Sequence, residues 1–192
     1  MADSYHHGNL RQALIDAGIR IINENGEESL SLRKAAAACN VSHAAPYAHF
    51  KDKDELLDAM KKSVTDSFTE ELETAVKDAG NADEALIAMG RTYVSFFSRN
   101  PDYFMFLFGK QNIAAHLQMN KENKDDYPPF LLLRKYYKKH LKENGIKLSV
   151  EDQEIEMIKT WAIVHGMASI ACMKGVETSF DWNEPDVRLI TG

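Results

Sequence analysis

Cysteine and proline are both scarce in this 192-residue chain, which has two of the first and five of the second. Two thiols, Cys39 and Cys172, do not make a disulfide framework. Both sit among alanines and other small or apolar residues, and each reads as a small buried hydrophobe. No run approaches the ~18 apolar residues that a membrane-spanning helix needs. The longest apolar stretches, such as residues 103–108, are far too short. Asp3, Ser4, Tyr5, His6 and His7 lack the charged-then-apolar pattern of a secretory leader. These absences lead to the expectation of a cytoplasmic protein with no membrane association. Long apolar–polar alternation is also missing, so no strand is expected, and a glycine-rich phosphate loop has no strand to follow. The seven histidines form no zinc pattern such as His-Glu-x-x-His, and His6-His7 reads as a surface pair. Glu151, Asp152, Glu154 and Glu156 crowd a helix start, where acids complement the dipole. No catalytic residue, cofactor or metal ligand is therefore expected, and an enzyme is disfavoured.

What is present is apolar mass and charge. Hydrophobic residues make up 44% of the chain, enough for one substantial core or a small module joined to a larger one. The formal net charge of −6, taken whole, opposes a nucleic-acid partner. Its distribution removes the objection. Residues 1–53 hold six basic and six acidic side chains plus four histidines, so the whole acidic excess lies beyond them. Local rather than total charge decides where a polyanion docks.

Helical spacing dominates the chain. Leu10, Leu14, Ala17, Gly18 and Ile21 share one face of a first helix that ends near Asn25-Gly26, where glycine suits a left-handed cap. Ser31 is a good N-cap for a short alanine-rich helix over residues 32–39, with Asn40 as its C-terminal cap. Ser42 suits the N-cap of another short helix over residues 43–49. Asp52 or Asp54 suits the cap of a long one carrying Leu56, Met60, Val64, Phe68 and Leu72. Later helices are expected over residues 83–99, 101–108, 129–144 and 151–174, with Gly145 separating the last two. The polar stretch 120–127 is the best candidate for a mobile loop. The fold class is all-α with about nine helices: an N-terminal three-helix helix-turn-helix domain over residues 1–53, and a C-terminal helical bundle over 54–192.

Residues 31–50 are decisive. Two short helices joined by a tight turn let the second stand steeply on the first and enter a major groove. Ala35, Ala36 and Ala38 permit close helix approach, while Val41 and Phe50 are suited to pin the unit to the first helix. Backbone N–H groups after Ser42 suit a phosphate. Tyr47, His49 and Lys53 offer donors to phosphate oxygens, and Arg33 is placed for the neighbouring backbone. His43, Ala44 and Ala45 are short enough to face base edges, an alanine methyl meeting a thymine methyl. The same pattern also occurs as a plain structural corner in a helical binding or carrier protein.

Residues 7–57 resemble the N-terminal domain of TetR-type regulators. The likeness is carried by Ser31-Leu32-Arg33, Val41-Ser42, Tyr47-x-His49-Phe50, Lys51-x-Lys53 and Glu55-Leu56-Leu57. It implies a DNA-binding transcriptional regulator, a repressor by family default, in which positions matching Tyr47, His49 and Lys53 hold phosphates and those matching His43, Ala44 and Ala45 read bases. Three departures stand out. Ala35 replaces a larger aliphatic, Lys34 an acid, and Asn40 the customary turn glycine, which asparagine can replace in a left-handed conformation. Trp161-Ala-Ile-Val-His165-Gly166 looks like the Trp-His-Gly element of one subgroup with an insertion.

The resemblance also implies that the C-terminal half senses a small-molecule effector and forms a homodimer. Met89, Tyr93, Phe96, Phe97, Phe104, Phe108, Met157, Trp161 and His165 are the candidate pocket residues, of types that line apolar sites but also make helical cores. Gly166, Ala168, Ser169, Ala171 and Cys172 are the candidate dimer surface, small enough for close helix approach. A two-fold dimer would set its reading helices about one DNA turn (~34 Å) apart on a near-palindromic operator of double-stranded DNA.

Overall fold

The computed structural model describes residues 7–109, 117–121, 126–186 and 188. Among them the chain is all helical: seven α-helices, two single turns of 3-10 helix and no strand. The helices are α1 (His7–Asn25), α2 (Leu32–Ala38), α3 (Lys53–Val76), α4 (Ala82–Arg99), α5 (Pro101–Phe108), α6 (Pro128–Glu143) and α7 (Val150–Ala171). The 3-10 turns are Glu27–Ser29 and Ala45–Ala48, so the expected count of about nine is reached only with them. Two compact units divide the chain inside α3, after Val64, with residues 105–109 grouped in the first.

In the N-terminal unit, α1 buries Leu10, Leu14, Ala17 and Gly18 as its spacing predicts. Ile15, Ile19 and Ile22 complete the face, whereas Ile21 is only half-buried. Each fully buried aliphatic contributes about 1.5–3 kcal/mol of transfer free energy. Gly26 follows α1 with φ 85° and ψ 162°, an extended positive-φ conformation rather than the expected left-handed cap. The Ser31 hydroxyl caps α2 by accepting from the Lys34 N–H at 3.2 Å. Ala35 and Ala36 are fully buried, but Ala38 lies on the exposed face. Asn40 has φ 55°, the single positive φ of a non-glycine residue among those described. Around it the Val41 N–H reaches the Ala36 carbonyl and the Asn40 N–H the Ala37 carbonyl, both at 3.1 Å. That pair of bonds is a Schellman closure, which a left-handed residue makes possible.

The expected helix over 43–49 is instead a turn followed by the 3-10 segment, and the Ser42 hydroxyl does not cap it. Pro46 is the cause. In an α-helix the residue 46 N–H would bond the Ser42 carbonyl; proline has none. The Ala45 N–H takes that carbonyl at 3.0 Å, one residue earlier, and the winding tightens. Asp52 opens α3, its carboxylate accepting from the Glu55 N–H at 2.9 Å.

In the C-terminal unit, Asn81 caps α4 by accepting from the Glu84 N–H at 2.9 Å. Glu143, at the end of α6, accepts from the Ala82 N–H at 2.8 Å, so a side chain of one helix satisfies a free donor at the start of another. Gly145, φ 65°, separates α6 from α7 as expected, and the Ile146 N–H bonds the Leu141 carbonyl at 2.9 Å. Helix α7 stops at Ala171, with Cys172 as its C-cap, before the expected residue 174. Phe68, Tyr93, Phe96 and Phe97 form an aromatic core with ring centroids about 5 Å apart. Met119, Phe130, Tyr137, Leu141 and Met157 form a second cluster. Four residues of the polar stretch expected to be mobile, 122–125, lie outside the described residues.

Candidate functional site

The segment from Ser42 to Phe50 divides into residues that are held and residues that are presented. Pro46 and Phe50 are buried, Phe50 with the Arg11 guanidinium 5.2 Å above its ring. Ser42, His43, Ala44 and Tyr47 are exposed, Tyr47 by 55%. Ala45 and His49 are half-buried. A nine-residue stretch that buries its proline and phenylalanine while turning a tyrosine outward has a reason other than packing to keep that tyrosine. The 3-10 segment Ala45–Ala48 is too short for a useful dipole, so the helix N-terminus expected after Ser42 is not formed. Arg33 and Lys34 are exposed at the start of α2, and Arg20 is exposed on α1.

Lys53 stands differently. It is the first residue of α3, half-buried, and its ammonium donates to the Glu27 carbonyl at 2.7 Å. The cation is therefore anchored to the 3-10 turn, with two N–H donors beyond that bond. Lys51 and Asp52 are neighbours whose charges lie 3.9 Å apart in solvent, a pair worth little.

The second feature is an apolar cavity within the C-terminal unit. Phe68 and Leu72 of α3, Leu86, Met89, Gly90 and Tyr93 of α4, and Thr160, Trp161 and Val164 of α7 line three of its walls. Tyr127, Pro129, Phe130 and Leu133, at and just before α6, line the fourth. Of the residues expected to line a pocket, Met89, Tyr93 and Trp161 do so. Phe96 and Phe97 are in the aromatic core, Met157 in the second cluster, and Phe104 packs on the His165 ring at 5.1 Å. Phe108 is half-buried on α5 and is not in the lining. His165 lies just behind the wall: its Nδ1 and the Tyr93 hydroxyl are 2.9 Å apart. The Trp161 Nε1–H donates to the same hydroxyl at 3.4 Å. Indole can only donate, so the arrangement satisfying all three groups has Tyr93 donating to a neutral imidazole. Burial supports this by pushing the His165 pKa down and that of Tyr93 up. Residue spacing does not single out Tyr127, Phe130 or Leu133. Their only signal in the sequence is the Pro128-Pro129 pair that fixes where α6 starts.

The small-residue surface of α7 is mixed. Ala168 is fully buried within this chain, while Gly166, Ser169, Ala171 and Cys172 are half-buried. Cys172 donates to the Phe97 carbonyl at 3.4 Å, and burial pushes its thiol up to about 11. Both cysteines are free and half-buried rather than fully enclosed. A larger apolar set faces outward along α7: Ile155, Ile158, Ile163 and Ile170, each at least 41% exposed. Among the described residues no cluster of three potential metal ligands occurs, and no helix is long and apolar enough to cross a membrane.

Residues 14–60 match the family described as bacterial regulatory proteins, tetR family. The chain is similar to the fatty acid metabolism regulator protein of Bacillus subtilis, 28% identical over 106 residues, covering 55% of this chain and 50% of that protein. It is also similar to an HTH-type nicotine-responsive transcriptional repressor of Paenarthrobacter nicotinovorans, 51% identical over 49 residues, covering 26% of this chain and 25% of that one. The chain thus spans half or less of the length of these relatives. A solved structure of a Rhodococcus protein of unknown function shares the fold with a TM-score of 0.66 and 26% identity, over 99% of this chain and 94% of that one. The matched segment encloses the pinned turn and its flanking helices, so residues 14–60 are similar to the helix-turn-helix segment of the tetR family of bacterial regulatory proteins.

Proposed function

We propose that this protein is a dimeric, DNA-binding transcriptional repressor, acting in the cytoplasm and released from a near-palindromic operator by a small molecule. Residues 1–53 would bind DNA, and residues 54–192 would sense the effector and dimerise. The observation that carries the reading is the exposed His43–Ala44–Tyr47 surface held in place by buried Pro46 and Phe50. Tyr47, His49, Lys53 and Arg33 would hold phosphates; Ser42, His43, Ala44 and Ala45 would meet the groove. One relative is named a nicotine-responsive transcriptional repressor, which supports pairing operator binding with a small-molecule signal.

The outward isoleucines of α7, with Gly166 between them, suit a partner copy better than water does. The dimer surface proposed is therefore this stripe together with the half-buried Ser169, Ala171 and Cys172. An Ile163→Glu variant is expected to sediment as a monomer and to lose operator affinity together with dimerisation.

Release would work by population shift. A ligand in the cavity touches Phe68 and Leu72, and the helix carrying them is the one that begins at Lys53. Ligand moves the equilibrium only in so far as it prefers the non-binding state.

The test is selection of bound sequences from a random duplex pool, followed by salt titration of variants. Tyr47→Phe removes one phosphate hydrogen bond per subunit, two per dimer, and leaves the ring, so affinity should drop about 30-fold on every sequence. Lys53→Ala should reduce the slope of log affinity against log salt by about 1 for each phosphate left without its cation. A His43 substitution should change sequence preference instead. A helical carrier protein with no DNA partner would give no enriched sequence, and that result would end this reading.

A further inference from the structure

The chemistry of the cavity wall narrows what the effector can be; this rests on the sensing role proposed above. Among the described residues, none that lines the cavity carries a charge. Of the cations next to lining residues along the chain, Arg91 and Lys159 are exposed, and Arg134, which follows Leu133, is buried but already matched. Its Nη2 donates to the Asp126 carboxylate at 3.2 Å, with both side chains buried, and its Nη1 donates to the Lys121 carbonyl at 2.8 Å. A carboxylate or ammonium entering the cavity would be stripped of water with no counter-charge among the described lining residues to meet it, which is strongly unfavourable.

The polar groups that do line the wall are few and unequally engaged. The Tyr93 hydroxyl is shared by His165 and Trp161. The Thr160 hydroxyl donates to the Glu156 carbonyl of its own helix at 2.9 Å. The Tyr127 hydroxyl is different. It is buried, and no hydrogen bond of ordinary geometry joins it to any group among the described residues. Thr65 is its polar neighbour, acting to lower a pKa that burial raises. A buried hydroxyl without a full partner is uncommon and costs stability, so it calls for an explanation. It sits on a residue that lines an apolar cavity.

We infer that the cavity binds an uncharged, mainly hydrocarbon effector bearing one oxygen acceptor, such as an alcohol, ketone or ester, to which the Tyr127 hydroxyl donates. Dispersion and burial along Leu72, Met89, Phe130 and Val164 supply most of the affinity. The hydroxyl selects a polar end over a plain alkane.

The test uses the full chain and four probes of matched length: 1-decanol, methyl decanoate, decanoate and decylammonium. Each is titrated by calorimetry at neutral pH, with the wild type and with Tyr127→Phe. The two neutral probes should bind at least about 100-fold more tightly than the two ions. Tyr127→Phe should weaken the neutral probes about 5- to 10-fold and leave undecane, the control without oxygen, unchanged. If decanoate or decylammonium equals or exceeds the neutral probes, the uncharged-ligand inference is overturned while the sensing cavity stands. Equal binding of decanol by wild type and Tyr127→Phe would overturn the role of the hydroxyl. If no probe binds at all, the sensing cavity itself is refuted and this inference falls with it.

Discussion

Asn40 offers the sharpest test of how the turn after α2 is built. Its side chain is exposed, and its φ of 55° closes α2 through the Val41 and Asn40 N–H bonds to the Ala36 and Ala37 carbonyls. An ordinary L-residue in that conformation costs about 1–2 kcal/mol, asparagine less and glycine nothing. Asn40→Ala should therefore destabilise by about 1 kcal/mol, and Asn40→Val by about 2 kcal/mol because of its branched Cβ. Asn40→Gly relieves the remaining strain but widens the unfolded ensemble by a similar ~0.5–1 kcal/mol, so it should be near neutral. In a chain of 192 residues, each kcal/mol moves Tm by about 2–4 °C. Thermal melts followed by circular dichroism should then rank glycine level with wild type, alanine about 2–4 °C lower and valine lower again. If Asn40→Gly fell as far as Asn40→Ala, the asparagine side chain would be making a contact of its own, and the backbone argument would be wrong.

Two further outcomes follow from the packing and the buried imidazole. Gly18→Ala places a Cβ 2.8 Å from Met60 Sδ and 3.2 Å from its Cε; overpacking of about 1–3 kcal/mol outweighs the ~1 kcal/mol helix-propensity gain. Unfolding in urea should show a net loss that Met60→Val, lacking both atoms, partly restores in the double variant; strictly additive effects would contradict the clash. Burial lowers the folded-state pKa of His165, so below about pH 6.5 the unfolded chain takes up a proton that the folded one resists. Stability should be flat above neutrality and decline from there down to the lowered folded pKa, with a shallower decline in His165→Gln. Equal slopes in urea midpoints between about pH 7.5 and 5 would assign the decline to other groups.

Much of this is legible from residue order. Ser31 announces a helix start by its chemistry, and Asn40 is the residue type that tolerates the conformation its turn requires; both work within four residues of chain. The reading segment departs from its expected helix for an equally local reason. Counted as one missing donor, Pro46 is harmless in a first turn, but its effect is to hand the Ser42 carbonyl to Ala45 and rewind the segment. The cavity is only partly legible because Tyr93, Phe96 and Phe97 are alike in type and nearly adjacent. Which of them meets open space depends on the rotation of α4 against three other helices, a property no spacing rule contains. Tyr127 is marked in the sequence only by the Pro128-Pro129 pair after it, which fixes where α6 starts and says nothing of what its hydroxyl meets.

In the proposed operator complex, with Lys53 at a phosphate, its bond to the Glu27 carbonyl would bear on how faithfully a duplex is recognised. A lysine free in solvent forfeits about 2 kcal/mol of rotamer entropy when it is clamped on a phosphate. Here most of that freedom has gone before the duplex arrives. The ammonium then acts as a fixed post rather than a sweeping arm, so it rewards a backbone that passes at the correct height and gives little to one that does not. A contact usually assigned to non-specific attraction would in this way help the protein to sense the shape of its site.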